Sequence, residues 1–170
     1  AQDALAAAGL GLGTTSQAYD PTVPAGLVAV QNPAAGSTVE SGAAVDLVIS
    51  LGPQPVAVPD VVGLAQAAAE SAVTGAGLTV GNVTSQYNDT IPAGSVISQN
   101  PAAGTEVLPG SAVDLVISLG PQPVAVPDVV GLTRTAAESA VTGAGLDVGT
   151  VNTQYNDTIP AGSVISQNPA

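Results

Sequence analysis

The sequence predicts an α+β fold made of tandem units, each with one helix packed on a small β-sheet. Three observations predict it. A pattern recurs with a period of 68 residues through the 170-residue chain. Each complete period holds one short stretch rich in strong helix formers. Between such stretches lie short β-rich segments separated by Gly, Pro and Asn clusters.

The repeat organises everything else. Val58–Leu64 and Val126–Leu132 both read VPDVVGL. Gln86–Ala102 and Gln154–Ala170 share QYNDTIPAGSVISQNPA, and Val45–Asp60 and Val113–Asp128 share VDLVISLGPQPVAVPD. Without gaps, residues 58–102 match 126–170 at 38 of 45 positions, and residues 1–52 match 69–120 at 29 of 52. Tyr19, Tyr87 and Tyr155 fall at one register. The offsets divide the chain into a partial unit at 1–56 lacking its start, a complete unit at 57–124, and a partial unit at 125–170 lacking its end. A chain cut inside elements that should be packed reads as a window on a longer array.

In the complete unit, Pro-punctuated Pro53–Asp60 reads as an extended linker leading into a short edge strand. Leu64–Gly75 reads as a helix, with Leu64, Ala68, Ala72 and Ala76 at spacing four, and Gly75 and Gly77 as its stop. Leu78–Gln86 is a strand. Tyr87–Thr90 and Pro92–Gly94 are turn material. Ser95–Gln99 is a second short strand, followed by the Asn100–Gly104 and Leu108–Gly110 turns. Ala112–Leu119 closes the unit as a strand, with Val113, Leu115, Ile117 and Leu119 on one face.

Composition removes most chemistry. The chain has no Cys or His, no Lys, and a single cation, Arg134, against thirteen acidic residues, for a net charge of −12. No Ser-His-Asp triad, thiol nucleophile or zinc site of ordinary ligand types can be built. One cation cannot neutralise a nucleic-acid backbone, and the same holds for an anionic membrane surface. No run approaches the length of a membrane span. No catalytic, metal or cofactor site is expected, and no cofactor.

Some residues still merit placement. Asp60 and Asp128 read as turn formers or caps at the helix approach. Asp89 with Asp114, or Asp157 in the third unit, would be the carboxylates of an acid/base pair or Ca²⁺ site, but the D-x-[DN]-x-[DN]-G pattern is missing. Asn82, Asn88 and Asn156 head N-x-[ST] triplets and are the N-glycosylation acceptor candidates. The tyrosines read as supports for each unit's long turn, with the hydroxyl reaching water.

Taken in order, VPDVVGL, the Ala/Glu-rich helix, AGLTVGNV, YNDTIPAGSVISQNPAAGTEV and GSAVDLVISLGP resemble the PASTA domain, the penicillin-binding protein and serine/threonine kinase associated domain. The resemblance covers essentially the whole chain. It implies a helix on a sheet of about three strands, and tandem units set end to end as an extended rod outside the cytoplasm. For some members it implies recognition of peptidoglycan fragments. Family members commonly carry Lys and Arg in the helix and loops, whereas the complete unit here has none. The residues by themselves favour a non-enzymatic extracellular array at the cell surface, a stalk or self-associating filament in which a nearly uncharged surface of Thr, Ser, Ala and Val packs against another copy and the last strand's edge pairs with a neighbour. The resemblance favours a peptidoglycan-binding sensor stalk of a cell-wall kinase or penicillin-binding protein.

Overall fold

Short apolar alternations and fixed turn residues give the first two periods the same core of small elements, a helix followed by a three-stranded sheet. The computed structural model describes residues 1–169; Ala170, the final residue of the third unit's expected span, lies outside them. The chain falls into two compact units, Ala1–Gly120 and Pro121–Ala170. The first contains α1 (Gln2–Ala7), β1 (Gly11–Ala18), β2 (Val28–Asn32) and β3 (Ala44–Ser50). It continues through β4 (Val56–Ala57), α2 (Gln66–Gly75), β5 (Thr79–Gln86), β6 (Val96–Asn100), β7 (Glu106–Val107) and β8 (Ala112–Ser118). The second contains α3 (Arg134–Gly143).

The sheets have orders β1-β3-β2 and β5-β8-β6, with β4 and β7 forming a small separate pair. The last strand of each of the first two periods therefore lies in the middle. β8 runs parallel to β5, from Thr79↔Ala112 to Gln86↔Ser118, and antiparallel to β6, from Val96↔Ile117 to Asn100↔Asp114. This corrects the expectation of a closing strand with an edge free to pair. The physical reason is burial: Val113, Leu115 and Ile117 form the most apolar alternation of the period, and a central position covers them best.

The helix packs one residue away from the predicted stripe. Ala69 and Val73 are its buried residues, Ala72 and Ala76 pack partly, and Leu64 and Ala68 are exposed. Val73 is the largest apolar side chain within α2, and facing it inward sets the helix rotation. The helix begins at Gln66 because Ala65 is extended, at φ −62° and ψ 145°.

Its end is a Schellman motif. The Leu78 N–H donates to the Val73 carbonyl at 3.2 Å and the Gly77 N–H to Thr74 at 3.0 Å. Gly77 supplies the positive φ of 74° that this cap requires, while Gly75 is simply the last helical residue. Leu78 and Val73 are both buried, so the cap also delivers the chain into the core.

That core joins Val58, Val61, Ala69, Val73, Leu78, Val96, Val113, Leu115 and Ile117. Leu119 is not among them: it is exposed, because the chain leaves the sheet after Ser118 and turns at Gly120. Ser118 is instead the buried residue at this end. Its hydroxyl donates to the Ile91 carbonyl at 2.6 Å and accepts the Gly120 N–H at 2.9 Å. Ser50 repeats the arrangement with Val23 and Gly52.

In the second unit, α3 ends in the same cap, with Leu146 donating to Val141 and Gly145 to Thr142. No strand is present among described residues 144–169. The topology explains this. β5 and β6 touch only through β8, and none of residues 144–169 aligns with Ala112–Ser118.

Candidate functional site

The segment bearing VPDVVGL is held along the outer edge of β6. The Val58 N–H donates to Thr105 O at 2.9 Å and the Gly104 N–H returns to Val58 O at 2.8 Å. Gly63 donates to Val96 O, Val96 to Leu64 O, and Gln66 to Gly94 O. Gln99 fastens the start of this segment: its Oε1 accepts the Val61 N–H at 2.8 Å and its Nε2 donates to Pro59 O at 2.9 Å. Gln167 makes the same bonds to Val129 and Pro127, at 2.7 and 3.2 Å. Sequence reading missed Gln99; the signal was a glutamine at one register in all three units, inside a conserved-length QNPA turn.

The sheet face away from the helix is open and polar. By register, Thr84, Val116 and Ser98 share one row of it, and Asp114 and Asn100 another. The Asn82 N–H donates to Asp114 Oδ1 at 2.7 Å across the β5 irregularity between Val80 and Val83. A Cβ at Gly81 would collide with that same carboxylate oxygen, so glycine permits the approach. In the first period Thr14 donates to Asp46 Oδ1 through both its N–H and its hydroxyl, each at 2.7 Å. The Thr14 hydroxyl, then its N–H, holds the Asp46 carboxyl below its ordinary value.

The long turn after β1 is organised by Asp20, which accepts from Val23 N–H, Thr22 N–H and Thr22 hydroxyl, all at 2.8 Å. The Val23 backbone bond leads these in depressing its pKa. Asn88 takes this place in the second period, accepting from Ile91 at 2.7 Å and twice from Thr90 at 2.9 Å. Asn156 does so in the third. Two of the three glycosylation candidates are thus turn formers whose side-chain oxygen is fully engaged, while Asn82 lies exposed on β5.

Asp60 and Asp128 form turns, accepting the Val62 and Val130 N–H at 3.2 and 3.1 Å, and do not cap the helices. Asp89 and Asp114 are not brought together. Asp114 pairs at the Asn100 end of the sheet, whereas Asp89 follows Gln86 in the turn at the Ser118 end. Among the described residues no group of three or more acidic side chains could hold a metal ion. Arg134 bonds Glu138 at 2.7 Å one helical turn away, on the surface. Tyr19 and Tyr87 are about half exposed, at 52% and 48%. No helix among the described residues is long and apolar enough to cross a membrane.

These features define a tandem α+β repeat module whose polar side chains are used to fasten turns and edges. The chain belongs to the PASTA domain family, whose profile matches residues 1–51, 56–119 and 124–170. It is similar to a probable serine/threonine-protein kinase of Corynebacterium efficiens, 41% identical over 148 residues, covering 86% of this chain and 22% of that protein. It is 34% identical over 152 residues to the serine/threonine-protein kinase PrkC of Bacillus subtilis, covering 89% of this chain and 23% of that one. The chain thus spans under a quarter of these curated relatives. Its fold is similar to part of a solved structure of the entire extracellular region of the Ser/Thr kinase PrkC from Staphylococcus aureus, with TM-score 0.62, 32% identity, and coverage of 99% of this chain and 60% of that one. It also matches the three-PASTA-domain region of a Ser/Thr kinase from the same organism, with TM-score 0.64, 31% identity, and coverage of 99% and 84%.

Proposed function

We propose that this chain is part of the extracellular sensor stalk of a bacterial serine/threonine kinase, and that it carries no catalytic chemistry of its own. The observation that supports this most is the 32% identity, over 99% of the chain, to the extracellular region of such a kinase. In this reading the repeats are 1–56, 57–124 and 125–170, displayed outside the membrane, with peptidoglycan fragments as the ligand. The open sheet face offers Thr84, Ser98 and Asn100, hydroxyls and a carboxamide suited to sugar and peptide groups. With Arg134 the sole cation, recognition of muropeptide carboxylates would rest on neutral donors.

The test is a titration of the 170-residue chain with purified muropeptides, followed by amide shifts. Shifts gathered on β5, β6 and β8 are expected; none at millimolar ligand would overturn the proposal. This reading displaces the self-associating filament inferred from composition. One part of that reading, pairing through the closing strand's edge, fails because β8 has strands on both sides.

A further inference from the structure

The second repeat receives the chain at one end of its sheet and releases it at the other. In the second repeat the incoming segment starts at Val58, bonded to Gly104 and Thr105, with Pro59 and Val61 bonded to Gln99. Gln99 pairs with Leu115, and Asn100 with Asp114, at the start of β8. From there the segment runs along β6 past Val96 to Gly94. It is therefore antiparallel to β6 and parallel to β8, with β6 between them. The outgoing strand β8 leaves at Ser118, next to Val96 and Gln86. The two attachment points are separated by the seven-residue length of β8, about 20 Å at roughly 3.3 Å per residue.

We propose that the repeat is a shear-loaded mechanical clamp, so that a chain of such repeats bears tension. Pulling on neighbours drags the incoming segment one way along β6 and β8 the other way. The load falls along the strand axes. Within each loaded interface, between the incoming segment and β6 or between β8 and its two neighbours, the bonds must then yield together, because none lies at the head of a zipper. The buried Ser118 hydroxyl locks the outgoing end, bonded to Ile91 and Gly120. The Gln99 carboxamide locks the incoming end. This proposal stands independently of any ligand.

Force spectroscopy tests it directly, because the chain has no cysteine and each introduced pair defines the pulling axis. Ala57→Cys with Pro121→Cys loads the second repeat in shear. Gln86→Cys with Leu119→Cys joins two residues at one end of the β5–β8 ladder, where Leu119 N–H meets Gln86 O, and peels the strands apart. All four positions are exposed. At one loading rate the shear axis should rupture at about twofold higher force or more, since forced unfolding reports the barrier along the pulled path. Equal forces, or a stronger peeling axis, would overturn the proposal. Gln99→Ala gives a second readout: it should lower the rupture force on the shear axis and leave the peeling axis unchanged. An equal loss on both axes would mean that Gln99 only stabilises the fold, and would overturn its part in the clamp. Should a cysteine pair alter the thermal melt, Gln54→Cys with Gln122→Cys supplies the shear axis and Ser85→Cys with Leu119→Cys the peeling axis.

Discussion

Residues 86–101 and 154–169 have the same sequence but different structures, and the comparison isolates what a central strand does. In the second repeat this sequence supplies the end of β5, the long turn and β6; in the third it contains no strand. Local features survive unchanged. Asn88 and Asn156 make the same three bonds, and Gln99 and Gln167 grip the same carbonyls. Burial does not survive. Val58 is 2% exposed and its counterpart Val126 is 36%; Tyr87 is 48% exposed and Tyr155 fully so. Turns and clamps are thus written in short-range sequence. The sheet is a property of three segments closed by the last of them.

The strongest way to break this comparison is to complete the third repeat. Appending a copy of residues 103–120 after Ala170 should give residues 147–168 the amide protection of β5 and β6; continued rapid exchange there would refute the role assigned to the central strand. Next in size is Leu115→Ala. Leu115 is fully buried in a nine-residue core, and its loss should cost about 2–5 kcal/mol, enough to unfold the second repeat in a thermal melt. Exchange in α3 should stay as it was.

Gln99→Ala removes the bond to Val61 N–H and should cost about 1–3 kcal/mol. The equivalent Gln167→Ala should show a smaller change in denaturant midpoint, since its surroundings are already open. The first repeat differs from the others by having Asp20 where they have Asn. Because folded Asp20 and Asp46 are depressed below 3.8, their stabilisation is present above that value and is lost as pH falls below it. Asp20→Asn should therefore move acid unfolding of the first repeat to lower pH, as judged by circular dichroism, and no movement would contradict the turn's role. Smallest is Arg134→Gln, expected to change stability by less than about 0.5 kcal/mol because the pair is exposed. Gln66 already bonds Glu70 at 2.8 Å in the second repeat.

Much of the fold was legible in the residues, because helix formers, Gly stops and Asn-Asp-Thr turns act over a few positions. The cap at Gly77 and the turns at Asp60 and Asn88 follow from such local chemistry. Strand order was not legible. Nothing within Ala112–Ser118 says that it inserts between β5 and β6 rather than beside one of them; only the shared burial of Val113, Leu115 and Ile117 decides it. The helix rotation was missed for a related reason: an alanine-rich surface has little contrast, and Val73 alone set the face. The open sheet face could not be read either, since its rows of Asn, Thr and Ser join residues far apart in the chain.

The central position of the last strand also has a consequence for biogenesis. As the polypeptide emerges from its amino end, β5 and β6 are made before the strand that joins them, so each module stays open until its final segment appears. Contacts such as Val80 with Val113 span some thirty residues, which slows closure relative to helix formation. During that interval an earlier AVDLVIS strand is a chemically identical competitor, since β3 and β8 have the same sequence. Successive modules must therefore close in turn, each before the next supplies a rival.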